Sequence, residues 1–149
     1  MTNIVPFLLE ELKGESALII ATTLWTLQKF SSWTARETDA ASFATYMNAI
    51  LLQTQATDPN IQESACTSLS TTFQTLASLD NSEELISTKL QPLVLPILTN
   101  FAGVLDRYQG ASLIALFDCV ATLAEVLGQK LRQREIVDIL IPLLSRKWQ

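Results

Sequence analysis

The chain has 149 residues, a formal net charge of −5 and a hydrophobic share of 48%. The negative charge argues against nucleic acid as a main partner, because phosphate binding needs a basic face, and it favours basic partners. Histidine is absent, which removes histidine triads and the commonest general base, so we expect no catalytic residue, no metal site and no cofactor.

Apolar periodicity predicts seven helices joined by short turns. In chain order they cover residues 4–13, 16–32, 40–55, 59–77, 82–107, 111–129 and 133–146. The polar stretch 34–39 is expected to be a turn. Asp58 can cap the fourth helix, and Pro59 suits its first turn. Pro92 and Pro96 lie inside the fifth helix and should kink or split it.

Apolar residues recur every three or four positions in the second and fourth helices, which predicts a packed face on each. They are Leu18, Ala21, Leu24, Trp25 and Leu27 in the second helix, and Ile61, Ala65, Leu69, Phe73 and Leu76 in the fourth. Cys66 and Cys119 also lie in apolar helical pattern, so we expect buried small hydrophobes in a reducing compartment. No unbroken run of 18 apolar residues suggests a membrane span, and the start shows no basic region of a signal peptide.

A tetrapeptide recurs at regular spacing. The sequence VPFL at 5–8 returns as LPIL at 95–98 and IPLL at 141–144, with prolines 90 and 46 positions apart, and 49–52 carries a copy without the proline. A period of about 45 residues is typical of HEAT and armadillo arrays. We therefore predict an all-α fold, a HEAT-repeat α-solenoid of about three and a half antiparallel hairpins in the order A-B, A-B, A-B, A. The expected repeats span about 3–33, 40–78, 82–129 and an incomplete 133–149, as one segment of a longer array.

The sixth helix, a B helix, carries the sharpest candidate site. At about 100° per residue, a stripe roughly 60° wide holds Asp118, Thr122, Glu125 and Gln129. The opposite side holds Leu113, Leu116, Val120, Leu123 and Leu127. Proline marks the A helices, so we expect the B helices to line the concave side, where the carboxylates attract lysine or arginine of a ligand. The alternative is a solvated helix face. Hydrolysis is disfavoured, because two helical turns separate Asp118 from Glu125 by about 10 Å and no nucleophile accompanies them.

Trp25 and Glu63 are further candidates on B helices. Trp25 fits either the core or an anchor in a groove, and Lys29 follows it one turn later. Glu63 fits either a groove or a first-turn acid that the helix dipole stabilises. Trp33 and Trp148 stand at helix ends and are expected to pack there.

Four segments resemble, in order and spacing, the transportin family of importin-beta-related nuclear import receptors. They are Trp25-Thr26-Leu27 with Phe30 and Trp33; Ile61-Gln62-Glu63-Ser64-Ala65-Cys66; Tyr108-Gln109 with Leu116-Phe117-Asp118 and Thr122-Leu123-Ala124-Glu125; and Glu135-Ile136-Val137 to Arg146-Lys147-Trp148. The resemblance covers nearly the whole chain and implies part of the C-terminal arch of a HEAT superhelix. It also implies a monomer that shuttles between cytoplasm and nucleus, without binding nucleic acid or inserting into membranes.

The resemblance implies binding of cargo proteins through disordered basic signals that end in a Pro-Tyr pair. It assigns the Pro-Tyr end to Trp25 with Lys29, a groove role to Thr22, Glu63 and Ser64, and the basic part of the signal to Asp118, Thr122 and Glu125. Ran-GTP and FG nucleoporins are implied as partners of the full-length receptor, with the Ran site outside this segment.

Several positions depart from the family's usual residues, which predicts weaker or altered cargo preference. Ile20 and Lys29 stand where arginine is usual, Thr22 replaces an apolar residue, Gln74 replaces an acid, and Glu125 replaces a shorter aspartate. The alternative to a cargo receptor is a HEAT scaffold of another class, such as a phosphatase regulatory subunit that grips folded partners through its turns.

Overall fold

The computed structural model describes residues 4–128 together with positions 141 and 145, and this part of the chain consists of helices and short turns. The helices are α1 (Ile4–Glu11), α2 (Ala17–Gln28), α3 (Ser31–Glu37), α4 (Ala40–Gln53), α5 (Pro59–Ser78), α6 (Ser82–Leu85), α7 (Val94–Val104) and α8 (Gly110–Leu127). Positions 141 and 145 are helical. The remainder of the seventh predicted helix, with Pro142, and Trp148 lie outside the described residues.

The predicted start of α5 is confirmed. The Asp58 side chain accepts a hydrogen bond from the backbone N–H of Asn60 at 2.8 Å, and Pro59 is the first helical residue. Asp39 caps α4 in the same way, accepting from the backbone N–H of Ser42 at 2.7 Å. That hydrogen bond lowers the pKa of the Asp39 carboxyl, as expected for a group whose charged form is the acceptor.

The prolines split the fifth predicted helix. Between α6 and α7 the chain forms a π turn (Ile86–Leu90) and then a 3-10 turn (Gln91–Leu93) that contains Pro92. Pro96 is the third residue of α7, as Pro6 is of α1, and a proline in a first turn removes no helical hydrogen bond. The copy at 49–52 lies at the end of α4 instead. A proline there would remove a helical hydrogen bond, which explains its absence.

The predicted turn at 34–39 is wrong, because α3 continues to Glu37. Thr34 and Ala35 are fully buried. The Thr34 hydroxyl donates to the carbonyl of Phe30 at 2.9 Å, so this residue satisfies its polar group within its own helix. Trp33 lies inside α3 and packs partly buried against the core, not at a helix end.

The helices form two layers with the core between them. In one layer, α2, α5 and α8 lie side by side: the Ser68 hydroxyl of α5 donates to the carbonyl of Leu24 in α2 at 3.0 Å, and the Ser112 hydroxyl of α8 donates to the carbonyl of Pro59 at 3.1 Å. The other layer contains α1, α4 and α7, while α3 and α6 pack against α5. One hydrophobic cluster fills the space between the layers. This is the architecture of a HEAT-repeat α-solenoid, as the period predicted.

By length and composition alone, α8 is long and apolar enough to cross a membrane. Its location gives a different explanation of that composition, because Leu116, Cys119 and Leu123 are buried in the core. Its other side carries Asp118 and Glu125, and a core helix of an array passes the same test. Packing of the layers therefore accounts for the core-facing part of this apolar content, since 33% of the stretch is buried.

Candidate functional site

A groove of about 600 Å³ lies between α5 and α8. Its α5 wall consists of Glu63, Thr67, Ser70, Thr71 and Gln74, and its α8 wall of Ala111, Ile114, Ala115, Asp118, Ala121, Thr122 and Glu125. The alanines keep the α8 wall low, so the longer polar side chains of both helices border one open space. Sequence-predicted residues from two different helices therefore meet here.

The charged stripe on α8 is confirmed in its geometry. Asp118 and Glu125 are exposed, and the opposite face of the helix is buried in the core, apart from the half-buried Leu113. Thr122 is half-buried, and its hydroxyl donates to the carbonyl of Asp118 at 2.8 Å. Gln129, the fourth predicted member of the stripe, lies outside the described residues.

Trp25 is not a core residue, since 57% of it is exposed. It borders a smaller cavity of about 220 Å³ together with Gln28, Glu63, Ser64 and Thr67. The Nζ atom of Lys29 lies 4.6 Å from the centroid of the indole ring, a cation–π contact. Exposure thus rules out a core position for Trp25, and its role as an anchor for a ligand stays a prediction.

The two cavities are neighbours that share part of their lining. Glu63 and Thr67 border both of them. Together they make one path, here called the B-face groove, that runs from Trp25 on α2 across α5 to Glu125 on α8. Ser64 lies on this path, and Lys29 lies at its Trp25 end.

Thr22 is not brought into the B-face groove. It borders a separate apolar cleft between α1 and α2, together with the exposed side chains of Phe7 and Leu18. The packed face predicted for α2 is partly wrong, because Leu18 borders this cleft and is 78% exposed. The residues of α2 that are buried are Ile20, Thr23, Leu24 and Leu27.

Among the described residues, the part of the B-face groove from Glu63 to Glu125 carries carboxylates without ion-pair partners. Within residues 4–128 the one ion pair joins Lys13 to Glu10, far from Glu63, Asp118 and Glu125 in sequence. Among the described residues, no lysine or arginine lines either cavity. Carboxylates beside a protein wall attract cations more strongly than they do in open water, so the groove is suited to a basic ligand.

Sequence reasoning named Glu63 and Gln74 on α5 but missed Thr67, Ser70 and Thr71, which line the groove between them. Glu63, Thr67, Ser70 and Gln74 follow one another at intervals of four, three and four positions, which places them on one helical face. This spacing alone predicts that the four residues share a face. Thr67 and Ser70 were not selected because the prediction was based on charged side chains. Ile114 was missed as well; it is 64% exposed and supplies an apolar contact one turn before Asp118.

The two cysteines do not add a reactive group. Both are free and buried, as predicted. Burial raises the pKa of the Cys66 thiol to about 12 and that of Cys119 well above its ordinary value, which suppresses the nucleophilic thiolate. Among the described residues, no group of three or more histidine, cysteine, aspartate or glutamate side chains is placed to hold a metal ion.

Comparison with known proteins finds relatives that match nearly the whole chain. Transportin of Dictyostelium discoideum is 30% identical over 99% of this chain, Transportin-1 of Oryza sativa subsp. japonica is 31% identical over 100%, and Transportin-1 of Homo sapiens is 28% identical over 99%. The chain spans 15% to 16% of the length of these relatives. No family model matches the chain.

Proposed function

Because this chain is transportin-like along nearly its whole length, we propose that it forms part of the cargo-binding surface of a nuclear import receptor. The proposed ligand is an extended, disordered segment with basic residues and a Pro-Tyr end. The observation that carries the proposal is the B-face groove, which joins an exposed indole to a line of carboxylates without ion pairs among the described residues.

The two ends of the groove have different roles. Trp25 supplies a flat apolar surface for a proline or aromatic side chain, and Lys29 beside it offers a donor to a ligand carbonyl or carboxylate. Asp118 and Glu125 select basic side chains and accelerate encounter. A disordered ligand loses conformational entropy on binding, so a few such anchors supply most of the affinity.

The dimensions of the groove fit a short peptide. Glu63 and Gln74 are eleven positions apart on α5 (63 to 74), or about 16 Å along the helix. An extended chain covers that distance in about five residues. Ran-GTP and FG nucleoporins enter the proposal only as partners of a full-length receptor, which would act in both cytoplasm and nucleus.

A fluorescence anisotropy titration tests the proposal, with a labelled peptide that carries a Pro-Tyr end and a lysine about five positions before it. We expect Trp25→Ala and Asp118→Lys each to weaken binding about tenfold or more, since each removes a central anchor. Asp80→Lys is the matched charge control, because Asp80 is exposed and outside the groove lining. Unchanged affinity in the Trp25→Ala, Asp118→Lys double variant would reject the assignment, provided that circular dichroism shows both proteins folded.

A further inference from the structure

The B-face groove does not end at Glu125. A second cleft of about 520 Å³ continues from it toward the corner where α5 meets α6. Its lining consists of Gln74, Ala77, Ser78, Ser82, Glu83, Ile86, Thr122, Glu125 and Val126. Three of these, Gln74, Thr122 and Glu125, also line the groove, so the two spaces are continuous and a ligand in one can extend into the other.

The chemistry of this cleft differs between its floor and its rim. Ile86 is buried and Val126 half-buried, and they give the floor an apolar character together with Ala77. The rim carries the exposed carboxylates of Glu83 and Glu125. Lysine and arginine combine an aliphatic stem with a charged head, so either one places its methylenes over the floor and its charge at the rim.

The charges at the rim are not balanced from within the described chain. No lysine or arginine lines the cleft, and the single ion pair of residues 4–128, Lys13 with Glu10, involves neither Glu83 nor Glu125. The Ser78 hydroxyl already donates to the carbonyl of Thr75 at 2.9 Å, which leaves its oxygen as an acceptor toward the cleft. Among the described residues, the space is thus bordered by acceptors and by no cation.

We propose that the cleft between Glu83 and Glu125 is a second cation subsite, which takes a lysine or arginine side chain of the same extended peptide. This inference rests on the proposed function. Gln74 and Ser78 are one helical turn apart, or about 6 Å, and two residues of an extended chain cover that distance. Side chains two positions apart also point to the same side of an extended strand. The second basic residue therefore stands two positions further from the Pro-Tyr end than the first.

Two labelled peptides test the subsite. Both carry the Pro-Tyr end and the first lysine, and they differ only in lysine or alanine two positions further on. For the unaltered chain at low salt we expect the second lysine to tighten binding about three- to tenfold. Glu83→Gln should abolish that gain. Glu84→Gln should preserve it, because Glu84 is an exposed neighbour on α6 outside the cleft lining.

The possible outcomes distinguish the proposed second subsite from the cargo-binding proposal on which it rests. If both peptides bind through Trp25 and Asp118 but Glu83→Gln leaves the gain from the second lysine intact, the subsite is overturned and the cargo-binding proposal stands. An equal loss for both peptides in Glu83→Gln also overturns it, since the effect would not depend on the second lysine. If neither peptide binds the unaltered chain, both proposals fall.

Discussion

Polar side chains serve different purposes at the B-face groove and at the junction of α4 with α7. At the junction they bond to one another: the Asn100 amide donates to the Thr54 hydroxyl at 2.6 Å and accepts from the Gln55 amide at 2.8 Å. The Arg107 guanidinium donates to the carbonyl of Gln55 at 3.1 Å. In the groove, Asp118 and Glu125 have no such partners within residues 4–128.

The difference follows from where each region lies on its helices. The junction sits at the end of α4, where the last carbonyls have no partner inside the helix and must find one elsewhere. Side chains of the following repeat supply it. The groove lies along most of the length of α5 and α8, where neighbouring turns satisfy most of the backbone. Some of its hydroxyls take part in packing, since the Thr71 hydroxyl donates to the side-chain carbonyl of Gln28 in α2 at 3.3 Å. The Asp118 and Glu125 carboxylates, in contrast, make no ion pair within residues 4–128.

Tyr108→Phe tests the structural side of this comparison and should have the largest effect on stability. Tyr108 is fully buried, and its hydroxyl donates to the carbonyl of Thr54 and contacts the Cys66 thiol. Removing the hydroxyl leaves a buried carbonyl without its donor, so we expect the free energy of unfolding to fall by about 2 kcal/mol. Urea denaturation followed by circular dichroism measures it.

Peptide affinity is the control for this variant. It should change less than about twofold, because Tyr108 lies outside the lining of the groove. A loss of affinity with no loss of stability would show that the two regions are not separate in function.

Lys89→Met should have a smaller effect. The Lys89 ammonium donates to the carbonyls of Ala35 and Thr38, just where α3 ends, and so ties the π turn to that end. Burial lowers its pKa, although Asp39 and Glu37 oppose the shift. Methionine keeps the aliphatic stem and removes both donors, so we expect a loss of about 1–2 kcal/mol in thermal or urea unfolding.

Lys13→Met is the matched control for the loss of a lysine. Lys13 and Glu10 form an ion pair with side chains 72% and 68% exposed, and such pairs contribute little. Equal effects of the two substitutions would mean that Lys89 does not act through the carbonyls at the end of α3.

The sequence predicted what local pattern controls. The α5 start was correct because Asp58 and Pro59 act within one turn, and the α8 stripe was correct because a helix fixes the angle between Asp118 and Glu125. The helical period did not predict which residues of α2 are buried. Leu18 and Leu24 are equally apolar, and only tertiary packing determines that Leu24 is buried and Leu18 is exposed.

Two further misses share a physical cause. The polar stretch 34–39 was predicted to be a turn, yet Thr34 bonds to its own helix while the packed layer buries it. No sequence signal indicated that Glu83 lines a cleft, since this depends on a corner that brings α6 beside the end of α8. Local sequence pattern determines where helices form and which residues share a helical face. Contacts with residues distant in sequence determine which of those residues are exposed and which line a cleft.

The smallest expected effect concerns the groove alone. Gln74 is exposed on α5 and lines both the groove and its continuation. Gln74→Glu adds a carboxylate between the two proposed cation sites without a large change in shape, so basic peptides should bind about two- to fivefold more tightly at low salt. Gln109→Glu gives the chain the same net charge at an exposed position outside the groove. Anisotropy titrations at two salt concentrations should therefore show a salt-sensitive gain for Gln74→Glu only. An equal gain in both variants would attribute the attraction to net charge. The groove carboxylates, which lack ion-pair partners within residues 4–128, would then lose the proposed role that distinguishes them from the bonded polar groups of the α4–α7 junction.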